Sequence, residues 1–299
     1  MTAFLEALIA PWEYDFWRRA LLVALMSGLV CGVIGSHVVL RGMAFIGDAV
    51  AHSVFPGIAI AFVLGLDLVL GGAVAGVITA LLIAVFTQNR RLKEDSVIGI
   101  FFAASFGLGI VILSTAPGYG GSLESFLFGS ILGISDSDVV SVAVIGAAVL
   151  LCTALFNSRF TAATLDREQA RAVGLPVFWL DVVLHVMVTL AIVISLQAVG
   201  NVLVLALLVT PAAAARLLTD RLGVMMLLAP LIGAGGSVLG LYLSYAFDLA
   251  AGGLIVLTLT AVFLLCWFFA PRHGLLTQPR KAAIATAATP AAVLTQEKS

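Results

Sequence analysis

Gly47-Asp48-Ala49-Val50-Ala51-His52-Ser53-Val54-Phe55-Pro56-Gly57 sets one carboxylate and one imidazole four residues apart in an otherwise apolar run. Positions i and i+4 share a helix face, so the two side chains can reach one object together. Whether that helix stands in water or in lipid is decided by what surrounds it. The chain is 62% hydrophobic and 10% charged, with a mean hydropathy of +1.18. Soluble domains carry about 25% charged residues, so a water-soluble fold is excluded. An ionisable pair in lipid costs a few kcal/mol, which makes Asp48 and His52 functional candidates by default.

Several windows are apolar for the roughly 18 residues that a crossing helix needs. The fold is therefore all-α, a polytopic integral membrane protein of about 8–9 transmembrane helices, by the apolar-window criterion. The apolar segments are Ala20–Leu40, Val50–Leu66, Val69–Phe86, Ser96–Ser114, Val139–Leu155, Val177–Val199, Asn201–Leu218, Met225–Phe247 and Gly252–Ala270. Leu123–Gly133 is too short to cross and reads as a re-entrant or surface helix. Three parts follow: a juxtamembrane segment over residues 1–19, a transmembrane domain over 20–270, and an Ala/Thr/Pro-rich tail over 271–299 that reads as disordered and cytoplasmic. The first 19 residues show no small-residue cleavage site, so no signal peptide is expected.

Basic residues orient the helices. Arg90, Arg91 and Lys93, then Arg159, Arg167 and Arg171, then Arg216 and Arg221, and finally Arg272, Arg280 and Lys281 all mark one side as cytoplasmic. They agree if Leu123–Gly133 does not cross. The same parity puts the N-terminus outside and leaves Arg18 and Arg19 against the rule. Cys31, Cys152 and Cys266 lie in separate segments without metal or redox spacing and read as packing residues. Gly72-xxx-Gly76 and Gly236-xxx-Gly240 read as sites of close helix approach.

Pro56 follows His52 by four residues, so it cannot donate to the His52 carbonyl if the helix continues. A carboxylate, an imidazole and a freed carbonyl would then lie within one turn, oxygen and nitrogen donors suited to a divalent first-row metal. Such ions want about four to six ligands, more than one chain offers here, and a symmetric dimer would double the set. The plain alternative is a hydrogen-bonded pair that only fastens helices. Asp181 and His185 repeat the spacing with weaker support, because no proline or glycine opens the helix there. His37 reads as a packing histidine.

Two further stretches carry signals. Leu165-Asp166-Arg167-Glu168-Gln169-Ala170-Arg171-Ala172-Val173-Gly174-Leu175-Pro176 offers Asp166 as an N-cap and Gly174 as a C-cap around a short helix suited to docking in a partner groove. Val199–Arg216 starts with Gly200-Asn201 and is broken by Thr210-Pro211, and broken membrane helices line cavities or gates. The sequence has no Gly-x-x-x-x-Gly-Lys and no His-Glu-x-x-His, so neither ATP binding of the usual kind nor an intramembrane metalloprotease is supported.

Val39-Leu40-Arg41-Gly42-Met43-Ala44-Phe45-Ile46-Gly47-Asp48-Ala49-Val50-Ala51-His52-Ser53-Val54-Phe55-Pro56-Gly57 resembles the signature of ABC transporter permeases for manganese, zinc and iron. The Leu165–Pro176 and Val199–Arg216 stretches are similar to that family's other two hallmarks, in the same order, and the likeness runs from about Trp17 to Ala270. The resemblance implies a multi-pass permease of the cell membrane that is not itself an enzyme. ATP hydrolysis would belong to a separate cytoplasmic ABC ATPase dimer docked on the Asp166–Gly174 coupling helix, with Glu168 and Ala170 on it. An extracellular solute-binding protein would deliver the ion, and a second permease copy or related chain would complete the pathway in the lipid bilayer, with no nucleic acid involved. It further implies that Asp48 and His52 contact the ion, a transported divalent metal rather than a tightly bound cofactor. Pro56, Gly57, Asn201, Thr210 and Pro211 are the residues expected along the pathway or gate. A carboxylate–imidazole pair without thiolate favours Mn²⁺ or Fe²⁺ over Zn²⁺, and the Pro56-Gly57 that follows looks more like the manganese branch. The rival readings are an ion-coupled secondary transporter using Asp48 and His52 as a relay, and an intramembrane hydrolase, for which no nucleophile is evident.

Overall fold

The computed structural model describes residues 10–88, 94–115 and 133–270. After a short 3-10 turn, Ala10–Glu13, these form α1 (Asp15–Leu40), α2 (Ile46–Leu64), α3 (Leu68–Phe86), α4 (Glu94–Thr115), α5 (Asp136–Leu165), α6 (Arg167–Ala172), α7 (Val177–Val199), α8 (Asn201–Leu218), α9 (Leu222–Phe247) and α10 (Ala251–Phe269). Six are long and apolar enough to cross a membrane, and Leu70–Phe86, Ser96–Ile112 and Val204–Leu218 are shorter apolar helices. Every apolar segment read from the sequence thus has its helix, as it must where lipid leaves backbone groups no partner outside their own helix. Leu123–Gly133, apart from its last residue, and the tail beyond Ala270 lie outside the described residues.

Three boundaries differ from the hydropathy reading. α1 begins at Asp15 and takes in Arg18 and Arg19. α2 begins at Ile46, so Asp48 belongs to its first turn, where a carboxylate meets the positive end of the helix dipole. α5 starts on a capping box, Ser135 with Asp138, and runs past the apolar part through Arg159 to Leu165.

α1 packs along α8 and α9 and also meets α5 and α7. Its approach to α9 is backbone against backbone: a Cβ on Gly28 would stand 2.7 Å from the Ala234 nitrogen, and one on Gly32 would stand 2.5 Å from Pro230. α2 rests on α3, α4 and α7. α7 contributes Leu184, Val188, Ala191 and Ile192 to the buried core, while Leu70, Ile78, Leu108, Leu151 and Leu265 stand exposed on α3, α4, α5 and α10, as lipid-facing residues do. Gly72-xxx-Gly76 faces Val54 and Thr189, and Gly236-xxx-Gly240 faces Leu259 and Ile255, so both motifs serve packing within the chain.

The two ends of the bundle are fixed by long-range pairs. Arg19 pairs with Asp136 at 2.7 Å, joining the starts of α1 and α5. Arg41 donates to Thr164 at 3.0 Å, joining the end of α1 to the end of α5. α1 and α5 therefore run in the same direction, and Arg18 and Arg19 lie at the end opposite α6. Each has a carboxylate beside it, Asp15 and Asp136 respectively.

Candidate functional site

α1 turns into α2 through Arg41–Phe45. Gly42 adopts φ +71, and the Met43 amide bonds back to the Val38 carbonyl at 3.1 Å, which closes α1 and buries Met43. That left-handed conformation suits glycine, and the chain passes through it from α1 into α2. The first turn of α2 is held against α8: a Cβ on Gly47 would stand 2.9 Å from Leu205 and 3.1 Å from Leu208.

On this seat His52 Nε2 lies 3.5 Å from Asp48 Oδ1. The Asp48 side chain is 41% exposed and that of His52 is 20% exposed. The imidazole is gripped from α4, edge-on to Phe102 at 5.0 Å and to Phe106 at 5.2 Å between ring centres. Those two rings, neighbours at i and i+4 on α4, are parallel, with 2° between their planes. The histidine is thus oriented by apolar edges while its carboxylate partner stays open. The pair leaves room for further donors from outside the chain, and among the described residues no cluster of three or more His, Cys, Asp or Glu supplies them.

Pro56 sits inside an unbroken α2, so the carbonyl of His52 lacks its helical donor. Gly57 marks the contact with α3, where its Cβ would stand 2.2 Å from the Gly71 carbonyl oxygen. α4 closes on the same turn: a Cβ on Gly109 would stand 2.5 Å from the Phe55 ring and 3.3 Å from the Pro56 nitrogen.

The second stretch forms as expected. Asp166 caps α6, its Oδ1 accepting from the Glu168 and Gln169 amides at 2.8 and 2.9 Å. Gly174, at φ +81, ends the helix with the Leu175 amide on the Ala170 carbonyl at 3.0 Å and its own amide on the Arg171 carbonyl at 3.0 Å. Ala170 is buried and Glu168 exposed, and the apolar Leu165 and Val173 beside α6 are largely exposed, at 82% and 69%.

The third stretch differs from the expectation. α8 is continuous through Thr210 and Pro211, and the break falls at Gly200, between α7 and α8, at φ +83. Pro211 is buried near Gly233 of α9, and Thr210 is half-buried. Asn201 opens α8. Leu205 and Leu208 of α8 reach Gly47, in the turn carrying Asp48.

Asp181 and His185 engage separate partners. The Asp181 carboxylate is taken by Arg41 and Arg167, while His185 Nδ1 lies 2.7 Å from the Asp181 backbone carbonyl. His37 is fully buried against the edge of Phe160. The three cysteines are free, and Cys31 lies buried beside Ser195.

The family model described as "ABC 3 transport family" matches residues 13–270. A "Manganese transport system membrane protein MntC" of Halalkalibacterium halodurans is 43% identical over 93% of this chain and 94% of its own length. A "Probable iron transport system membrane protein" of Haemophilus influenzae is 38% identical over 93% of this chain and 98% of its own length. Among solved structures, a chain of "PsaBC from Streptococcus pneumoniae in complex with Fab" superposes with a TM-score of 0.82 at 37% identity, covering 92% of this chain and 99% of that one.

Proposed function

The chain belongs to the ABC 3 transport family, and from that premise we propose that it is the membrane-spanning permease of an ATP-driven importer of a divalent transition metal, manganese first and then iron or zinc. The manganese and iron transport names of relatives at 43% and 38% identity support this cargo. The observation that carries the reading is the half-open Asp48–His52 pair on α2, at 3.5 Å, with the imidazole held by Phe102 and Phe106. An oxygen and a nitrogen donor without thiolate suit Mn²⁺ or Fe²⁺.

A second copy of the chain, or a related one, faces the open side of Asp48 and completes the pathway. An external solute-binding protein delivers the ion. A separate ATPase pair docks on α6, using its capped frame from Asp166 to Gly174, Glu168 and Ala170 on it, and the open Leu165 and Val173. ATP-driven closure of that pair pushes α6 and exposes the ion site to one side at a time. Pro56–Gly57 and Thr210–Pro211 are the points where α2 and α8, each missing one helical hydrogen bond, bend in that cycle, and Asn201 lies at the start of the latter helix.

The test is uptake of Mn²⁺, Fe²⁺ and Zn²⁺ into proteoliposomes holding this chain with its ATPase and binding protein, with and without ATP, for wild type and His52→Ala. ATP-dependent uptake lost in the variant supports the reading and names the ion. Uptake without ATP moves the protein to the ion-coupled secondary transporters, with Asp48 and His52 as the relay. Absence of uptake for all three ions refutes the metal assignment.

A further inference from the structure

We infer that Asp181 is a positioning residue that ties the α6 docking helix to the α1–α2 connection, so that displacement of α6 is delivered to the turn carrying Asp48. The inference rests on the proposed importer reading for its functional meaning, and on geometry for the link itself.

Asp181 stands in the second turn of α7, with a side chain only 8% exposed. Its Oδ1 accepts from Arg41 Nη1 at 2.5 Å, and the Arg41 side chain is 7% exposed. Its Oδ2 accepts from the guanidinium of Arg167. Arg41 is the residue that closes α1, and α2 begins at Ile46. Arg167 is the first residue of α6. One carboxylate therefore joins the exposed short helix to the root of the helix bearing the candidate ion site. Arg41 also donates through Nε to Thr164, the penultimate residue of α5, so the ends of four helices meet here.

A fastener between α1 and α7 alone requires only the buried Arg41–Asp181 pair. The second guanidinium comes from α6, the element open to a partner, and its side chain is 42% exposed. The anchor is stiff on the α7 side. His185 Nδ1 lies on the Asp181 backbone carbonyl at 2.7 Å, and Thr189 donates to the His185 carbonyl at 2.9 Å. It is also short on the α2 side, where Met43 is buried and the Ile46 amide bonds to the Met43 carbonyl at 3.1 Å. A push on Arg167 is thus carried to Arg41 and on to the first turn of α2, through ion pairs and packed backbone.

Asp181→Asn strands a buried guanidinium and can lose the fold outright. The deciding variant is Arg167→Gln, which leaves the buried Arg41–Asp181 pair in place. The first readout is hydrogen exchange at the amides of residues 43–49 in the purified chain. The expected result is severalfold faster exchange in Arg167→Gln than in wild type, with Arg159→Gln, on the neighbouring part of α5, unchanged. The second readout is the ratio of metal ions moved to ATP hydrolysed in the reconstituted complex. That ratio is expected to fall severalfold in Arg167→Gln and to recover with Arg167→Lys. Unchanged exchange at residues 43–49, or an unchanged ratio, overturns the link. If the wild-type complex moves no metal, the importer reading fails instead, and the exchange measurement still decides whether α6 and α2 are mechanically joined.

Discussion

Gly57 and Gly71 meet backbone to backbone where α2 crosses α3, and a Cβ on Gly57 would stand 2.2 Å from the Gly71 carbonyl oxygen. No rotamer relieves a clash with a carbonyl, so the helices themselves must part. Gly57→Leu is expected to cost about 1–3 kcal/mol, read as a lower midpoint of thermal unfolding in detergent. Gly107, on the open face of α4, has nothing within 4 Å of its Cβ position. Gly107→Ala is expected to leave stability equal or up to ~1 kcal/mol higher. Equal losses in both variants would show that the α2–α3 contact is not special.

Asp48 and His52 give a second prediction. Contacts to a charged group contribute about 1.5–3 kcal/mol, which corresponds to a loss of roughly tenfold to a hundredfold. Asp48→Asn and His52→Gln should each reduce metal uptake by at least the lower figure while the purified chain elutes as wild type. Full uptake in both would remove the pair from the pathway.

The grip of α4 on His52 can be loosened without touching either donor. Edge-to-face ring contacts contribute about 0.5–1.5 kcal/mol each. Phe106→Leu is expected to raise the metal concentration for half-maximal uptake by a few-fold, with a smaller change in maximal rate, because it frees the imidazole and leaves its nitrogen in place. Phe55 also touches Phe106, at 6.3 Å between ring centres. A change confined to maximal rate would point to Phe106 acting on helix movement instead.

The α6 cap supplies a fourth test. Asp166 accepts from two amides, at 2.8 and 2.9 Å. Asp166→Ala should weaken the helix by about 1 kcal/mol, whereas Asp166→Ser keeps a capping oxygen. Coupled uptake should fall in the alanine variant and return in the serine one. Equal loss in both would mean that the carboxylate charge, not the cap, is what matters there.

The apolar spans could be read from the sequence because lipid allows few backbone solutions. α6 could be read because its cap and its terminal glycine are local chemistry. α2 was harder to place: Gly47 and Asp48 depress the hydropathy, so the apolar run starts at Val50 although the helix starts at Ile46. Thr210-Pro211 misleads in the opposite way. A proline removes one hydrogen bond without ending a helix that neighbours hold straight, and Pro211 is buried against α9. The partners of His52 and of Asp181 were invisible for a different reason. Phe102 and Phe106 belong to another helix, and Arg41 lies 140 residues from Asp181. Their i, i+4 spacing on α4 was the one available hint for the phenylalanines. For Arg41, an arginine at the end of an apolar helix is ordinary, and only the fold reveals that it is buried.

The Arg41–Asp181 pair also imposes an order on synthesis. Ribosomes make α1 before α7, so the cation already exists when the helix carrying the acid arrives. An acid entering lipid alone is costly, and here it arrives to a waiting counter-charge. The buried pair thus ties a late-made helix to the first one made.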